Sequence, residues 1–446
     1  MIMDDDLFKQ ELSKINGVTS NPVNWDYAAE FIDENNNILS VLNVLSLDIV
    51  SNYTSAVADH IFISLQISKD IYFKLLNTNR RLLQLKFTRN QVAVTGSTIK
   101  DNKSYSYIYN AYLLDNTSEA VETRVGKLEG SQRDLLGELQ EIHVQLVEKG
   151  LSEFRLWDCG GVYKNTSTGD IIKGLLSQPI QSLGESGNDH YHVTMYEPDN
   201  KDKRYQRLIP NGVRLINLPR WIQEKWGVYS TGIGYYLSQG MWYIYPLYNI
   251  MRYDTEVKRM TIINVPKNEM MSNSNSYVQI GNELYVYATG DTKHLDNADR
   301  HLDSSGTGFR TAKAGNLLDR FTDSKNGETS IAKDQNNIVV SFDNRDGLVN
   351  NLKTDKLFTS NVYEDASNVI KGMCNIVIVN WEYSNPYLLY PGMPIKLLYK
   401  YMGKPYALRG VLAETKTSIS TPMKSVTDKR YVSLTQLVLT VERVTQ

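Results

Sequence analysis

His190 and His192 stand two apart beside Asp189, a spacing that in a strand turns both imidazoles to one face, where they could share a metal ion. With no other ligand cluster nearby in the chain, an exposed polar pair is the simpler account. His294 and His301 lie among Asp296, Asp299 and Asp303, and oxygen-rich loops of this kind can hold calcium. Their spacing fits no calcium-loop rule, so they read as a solvated loop. Glu153 with Asp158, or Glu382 with Glu414, could form the two-carboxylate pair of a glycosidase. Such pairs arise by chance among 50 acidic residues. Cys159 beside Gly160 and Gly161 has the setting of a nucleophile, yet a cysteine in an apolar strand run is usually inert packing. The glycine-rich stretch GTGFRTAKAG (306–315) follows polar loop residues rather than a strand, which is the wrong context for a phosphate loop. No GxxxxGKS/T, GxSxG or HExxH occurs. The expectation is no catalytic, cofactor-binding or metal-binding residue, no cofactor, and no enzymatic activity.

The bulk properties agree with a structural role. A chain of 446 residues exceeds one ordinary core, so two to four domains are expected on length alone. Hydrophobic residues make up 41% and charged residues 22%, a globular balance. No apolar run is long enough to span a bilayer, and the acidic start MIMDDDLFKQELSK lacks the basic and apolar regions of a secretory signal. Two distant cysteines, Cys159 and Cys374, suit a reducing cytoplasm. The net charge of −2 gives no surplus for holding phosphates, so stable nucleic-acid binding is not expected. Tyrosine outnumbers phenylalanine 29 to 10, which fits half-buried strand surfaces or wet interfaces.

The elements that would position these residues are mostly strands. Residues 1–36 read as a short helix and an irregular arm, with Trp25, Tyr27 and Phe31 available for docking. Runs at 38–50, 60–68, 81–89 and 105–114 alternate or are continuously apolar, and turn residues separate them, the pattern of a meander or small barrel. In 131–150, Leu135, Leu139, Ile142 and Leu146 recur at spacings of four, three and four, which predicts an amphipathic helix between Ser131 and Gly150. EFRLWDCGGVY (153–163) reads as a return strand. Helices are expected at 167–180 and 218–226, followed by an aromatic hairpin over 232–249 turned at Ser-Gln-Gly. Trp221, Trp226, Trp242 and Tyr243 should pack between that helix and hairpin. Strands are expected at 283–289 and 338–342, on either side of a polar stretch (290–337). A helix from 362, a strand from 374, a hairpin turned at Met-Gly-Lys-Pro and a closing strand at 431–444 form a last β unit. The expected fold is mainly β with an α+β middle: an arm (1–36), a first barrel with inserted helix (37–166), an α+β piece (167–280), a polar insertion with connecting strands (281–360) and a second barrel (361–446).

Three of these passages resemble the baseplate hub proteins of contractile-tailed bacteriophages. WIQEKWGVYSTGIGYYLSQGMWYIYPLYN (221–249) is similar to the central domain of such hubs. YPGMPIKLLYKYMGKPYALRGVLAETKTSIS (390–420) resembles their second tube domain, and LNVLSLDIVSNYTSAVADHIFISLQI (42–67) the opening strands of the first. The likeness covers a third to a half of the chain and is one of pattern rather than of invariant motifs. The helix read at 131–149 and the insertion at 290–337 have no counterpart in it.

The resemblance implies a homotrimer in the virion tail, made in the host bacterial cytoplasm, with two tube-type barrels per subunit forming a pseudo-sixfold ring. Such a ring adapts a sixfold tail tube to a threefold central spike. It contacts tube or distal tube, wedge and tape measure proteins, and leaves a lumen that DNA crosses transiently, without membrane insertion. Two other readings compete: a carbohydrate- or receptor-binding β protein of the virion, and a peptidoglycan hydrolase. Aromatic rings clustered on one exposed platform would favour sugar binding; rings spread along subunit edges would favour assembly.

Overall fold

The computed structural model describes residues 3–16, 24–78, 82–92, 103–114, 139–183, 192–265, 276–294, 328–329, 342–343, 361–401, 403–421 and 431–442. Most of the insertion, including Asp296, Asp299, His301, Asp303 and the GTGFRTAKAG stretch, lies outside the described residues, as do Asp189, His190 and most of the 338–342 strand.

Twenty-one strands occur among the described residues. The first group is β1 (Asn24–Ile32), β2 (Ile38–Ser40), β3 (Asn43–Asn52), β4 (His60–Ser68), β5 (Gln84–Val92), β6 (Ser104–Leu113) and β7 (Leu139–Glu148). They run β3-β4-β7-β6-β5-β1-β2 as antiparallel neighbours, and the sheet curls until β1 lies against β3. Alternation makes the curl: Leu85 and Phe87 of β5, Ile61, Ile63 and Leu65 of β4, and Val144 and Leu146 of β7 turn inward at period two to form one core.

The second group closes completely. β13 (Arg259–Asn264), β15 (Glu283–His294), β18 (Cys374–Glu382), β19 (Pro394–Tyr401), β20 (Lys404–Ser420) and β21 (Val432–Glu442) pair in the ring β19-β13-β15-β18-β21-β20-β19, a six-stranded barrel around Trp381, Leu397, Leu412 and Leu439. It is mixed: β13 runs parallel to both β15 and β19, while the remaining pairs are antiparallel. A short β14 (Tyr277–Ile280) pairs with β15. Closure removes the edges that would otherwise template association. The 17-residue β20 spans both units: its first half pairs with β19 and its second half with β3. The two barrels therefore share one continuous hydrogen-bonded sheet.

Between them in sequence comes an α+β piece. The ribbon β8 (Asp158–Tyr163) and β10 (Arg207–Arg214), the strands β9 (His192–Met195), β11 (Ile233–Ser238) and β12 (Met241–Pro246), and several helices share a core around Phe154, Leu176, Ile222 and Trp242. A two-residue bridge, β16 (Glu328–Thr329) with β17 (Phe342–Asp343), completes the strands.

The helices are α1 (Asp5–Asn16), α2 (Lys69–Asn77), α3 (Lys149–Leu156), α4 (Thr168–Leu183), α5 (Leu218–Trp226), α6 (Arg252–Thr255) and α7 (Val362–Met373). Local chemistry fixes their ends. Ser167 and Asp170 cap α4 reciprocally, at 2.6 and 3.2 Å. Pro219 opens α5, and Gly227 at φ 75° closes it by donating to the Ile222 and Gln223 carbonyls. Asn361 does two tasks: its Oδ1 caps α7 by accepting from Tyr363 and Glu364, and its Nδ2 donates to the Gln223 and Glu224 carbonyls at the end of α5. Replacing Asn361 by Ala removes the cap and leaves two carbonyls short of a donor. A loss of about 2 kcal/mol in urea unfolding is expected.

Three expectations fail here. Residues 139–148 form a strand and not the second half of a helix; the helix α3 begins only at Lys149. Ile142, Val144 and Leu146 face the core while Glu141, His143 and Gln145 do not, because β4 and β6 supply hydrogen-bond partners on both sides. The irregular arm is likewise a strand: β1 pairs with β5 over all nine residues, and Tyr27 and Phe31 are core. The run 153–163 is also divided, with helix to Leu156 and strand only from Asp158.

Candidate functional site

Among the described residues, those singled out for chemistry do not converge. Asp158 is exposed on β8 opposite Arg214, and Glu153 lies on α3. Glu414 on β20 accepts from Asn52 at 3.1 Å and pairs with Lys416 at 3.2 Å. Glu382 stands opposite Leu434, which stands opposite Ser418, so it is two strands away from Glu414 and four residues along. That offset is about 16 Å at ordinary strand spacing, too wide for a glycosidase pair. The Cys159 thiol donates to the Val213 carbonyl at 3.0 Å, and burial pushes its pKa up to about 11. It stays protonated at neutral pH, the opposite of an activated nucleophile. His192 is exposed on β9, opposite Met241. His294 ends β15 opposite Val377. Among the described residues, no group of three or more His, Cys, Asp or Glu converges where a metal could sit. No described helix is long and apolar enough to cross a membrane.

The polar residues that do converge lie where the three units meet. The β11–β12 turn places Gln239 (φ 51°) and Gly240 (φ 78°) in the left-handed region, the geometry of a type I′ hairpin turn. Gln239 has a Cβ and accepts strain there, while the Gly240 N–H donates to Glu148 Oε1 of β7 at 2.6 Å. The turn thereby roofs the first barrel. Beneath it, Asp59 accepts from the Ser51 hydroxyl, from Tyr236 at 2.9 Å and from Ser238 at 3.4 Å. Burial raises the Asp59 pKa against these hydrogen bonds, which lower it.

The roof is completed by the second barrel. The loop after β18 reaches over the seam between β1 and β3 and lowers Tyr387 into it. Tyr387 donates to the Tyr27 hydroxyl at 3.2 Å and meets Trp25 edge-on at 5.5 Å. Tyr431 closes the other side, edge-on to Tyr27 at 4.8 Å and donating to the Val44 carbonyl at 2.9 Å. Under these rings lies Arg89 of β5, with its guanidinium carbon 3.7 Å from the Tyr387 ring centre and 4.7 Å from that of Tyr105. Its Nη2 donates to the Tyr107 hydroxyl at 3.2 Å, and Tyr107 donates in turn to Gln239 at 3.3 Å. A cavity of about 70 Å³ lies between Asp59, Arg89 and the turn. A second space of about 310 Å³ shares Ser238, Gln239 and Tyr387 with it and runs past Tyr390 to Lys258.

Sequence reasoning missed Arg89, Asp59, Gln239 and Tyr387. One signal was present for Arg89: it continues the inward series Leu83, Leu85, Phe87 at period two, so a strand register places it inside. The aromatic passage behaves as expected at its centre. Trp242 is fully buried and edge-on to Phe154 at 5.2 Å. Trp221 and Trp226 meet at 5.2 Å, half-buried against the same core, while Tyr243 stacks on Tyr390 at 6.4 Å across the joint with the second barrel.

Glu283 of the second barrel is a half-buried carboxylate with three partners. It accepts from Tyr253 at 2.6 Å and Thr261 at 2.7 Å and pairs with Arg259 at 3.1 Å. Burial alone would raise its pKa, but these partners outweigh burial and hold it below the ordinary value. A lowered folded-state pKa means that the unfolded chain binds more protons at acid pH. Glu283 therefore stabilises the fold above its unfolded pKa of about 4.3. That contribution is lost as pH falls through the lower folded value. Glu283→Gln should abolish this part of the acid dependence, read as melting temperature between pH 6 and pH 3.

No family model matches the chain, and no curated protein matches it. Solved structures do. The tail protein from Neisseria meningitidis MC58 is similar at 10% identity and a TM-score of 0.45, over 93% of this chain and 96% of that one. The 43 kDa tail protein of prophage MuSo2 from Shewanella oneidensis gives 8% identity and a TM-score of 0.43, over 92% and 98%. A type VI secretion system component of E. coli, described as structurally similar to the bacteriophage T4 tail proteins gp27 and gp5, gives 9% and 0.39, over 90% and 74%. At these identities and scores the likeness does not extend to residue-level correspondence.

Proposed function

We propose that this chain is a structural hub subunit of a phage-type tail baseplate. It would form a homotrimeric ring that joins a sixfold tail tube to a threefold central spike around a lumen for DNA. The observation that carries this reading is a closed six-strand barrel and a curled seven-strand sheet in one chain, sewn together through β20. A trimer of such chains presents six similar units in alternation, which answers a sixfold neighbour on one side and a threefold one on the other. The passages that resemble hub proteins include β3, β4, β19 and β20, the strands at and around the joint between barrels.

The distribution of aromatic rings argues against the carbohydrate-binding alternative. Trp242, Trp381, Tyr229, Tyr236 and Tyr245 are fully buried, and Trp25, Tyr27, Tyr387 and Tyr431 hold the barrels together. Among the described residues, the exposed rings are Phe62, Phe73, Tyr112, Trp157, Tyr205 and Tyr383; Phe62 and Tyr112 flank Gln145 on neighbouring strands, and the other four lie on other elements. On this reading the partners are two further copies of the chain, a central spike, tube or distal tube, wedge and tape measure proteins, with DNA passing only through the lumen. The protein would reside in the virion tail after synthesis in the host bacterial cytoplasm. It would hold no cofactor and catalyse nothing.

Light scattering coupled to size exclusion, with negative-stain imaging, tests the proposal. The expected result is a homotrimer with a central opening, formed alone or on addition of its spike. A monodisperse dimer closed by a twofold axis would overturn it.

A further inference from the structure

Arg89 is a buried cation with no carboxylate paired to it among the described residues. It is 6% exposed, and its Nε and Nη1 have no hydrogen-bond partner among the described residues. Among the described residues no carboxylate lies within ion-pair distance of it. Asp59 lines the same cavity but is turned to Ser51, Tyr236 and Ser238. The Trp25 indole N–H, on a ring 5.3 Å from the guanidinium carbon, is a further buried donor without a partner among the described residues. Rings cover the guanidinium: Tyr387, Tyr105, Trp25 and Tyr107 all lie within 5.5 Å of its carbon. Aromatic faces attract a cation, but they accept none of its in-plane N–H groups. Burying a charged group with its donors unmet is costly, so these donors call for an acceptor.

We propose that the cavity at Arg89 is a binding site for a carboxylate. Three properties select that ligand. The guanidinium keeps unused donors beside the one given to Tyr107, and such a group matches a carboxylate better than a spherical ion. A space of about 70 Å³ admits a group of a few atoms. Asp59 across the cavity disfavours a ligand with a second negative charge, which argues against phosphate. The carboxylate can come from a free small acid or from an acidic side chain of another polypeptide entering past Gln239 and Tyr107. This proposal is independent of the hub reading.

The test uses the purified full chain and [13C]acetate, followed by saturation-transfer NMR at constant ionic strength. The expected result is transfer to acetate that formate competes away and chloride does not. Arg89→Met should weaken acetate binding at least tenfold. A second arm titrates the blocked tripeptide Gly-Asp-Gly against its Asn counterpart. Tighter binding of the Asp peptide than of acetate identifies a polypeptide source, and acetate alone identifies a free acid. Absence of transfer to acetate and to the Asp peptide in the wild-type chain would overturn the proposal, and so would equal binding in a folded Arg89→Met variant. Should that variant fail to fold, the formate-against-chloride competition on the wild-type chain decides the question.

Discussion

Trp242→Ala is expected to lower the stability of the chain by roughly 3–5 kcal/mol, measured by urea unfolding. Trp242 has no exposed surface, sits edge-on to Phe154, and belongs to the core that α3, α4, α5 and the aromatic hairpin share. Its strand β12 is held on both sides, antiparallel to β11 and parallel to β9, so the backbone cannot collapse freely into the space left behind. The same hairpin carries Gln239 over the first barrel, so loss of its core should loosen the joint between units as well as the middle piece. The outcome that would count against this account is an unchanged melting temperature together with lost binding to a glycan. That result would make the ring a ligand contact and favour receptor binding.

Much of this fold was legible because alternation survives wherever one face of a strand meets a core. The runs at 60–68 and 105–114, the described part of the run from 431, the aromatic hairpin, and the helices read at 167–180 and 218–226 all form the elements their patterns predict. The failures share one cause. In 139–148 the apolar residues Leu139, Ile142, Val144, Leu146 and Val147 satisfy a helical period and a strand period at once. Pairing with β4, some 75 residues earlier, decides between the two. In β1 the inward residues Tyr27, Ala29 and Phe31 alternate, but Ala28 blurs the contrast, and the partner β5 lies about 60 residues on. The parallel pairing of β13 was invisible for the same reason: no local signal distinguishes it from an antiparallel neighbour.

The candidate site was the least legible part. Its members come from β3, β4, β5, β6, the β11–β12 turn and the loop before β19, which the sequence separates by more than 300 residues. Their types are unremarkable singly: a serine, an aspartate, an arginine, a glutamine and tyrosines. Motif reasoning instead selected close neighbours in sequence, such as Cys159 with Gly160, and the structure gives those only packing roles. Gly160 is small because a Cβ there would strike the Asn211 side chain at 2.2 Å.

Gly392→Ala should be nearly as damaging as the loss of Trp242, at about 3 kcal/mol, because it combines two penalties of different origin. Gly392 has φ 66°, in the left-handed region that a side chain resists. A Cβ at this position would lie 2.1 Å from the Tyr245 ring, and the ring cannot yield. Tyr245 is fully buried, the same ring edge also faces Gly234, where a Cβ would meet it at 2.3 Å, and its hydroxyl donates to the Tyr53 carbonyl at 3.1 Å. The Gly392 carbonyl also accepts from Arg252 at 3.0 Å, so the turn cannot shift without unmaking a charged hydrogen bond. Tyr245 thus joins the hairpin, the end of β3 and the turn into β19, one residue from each of the three units. The Pro-Gly turn of the passage that resembles hub proteins is glycine here for contact with the middle piece, and not only for turning. Thermal unfolding of Gly392→Ala beside Gly403→Ala makes the distinction. Gly403 has φ 76° but open space around its Cβ, so its variant should lose only the backbone penalty, about 1 kcal/mol. Equal losses in the two variants would show that conformation alone fixes Gly392 and that the Tyr245 joint is softer than the geometry indicates.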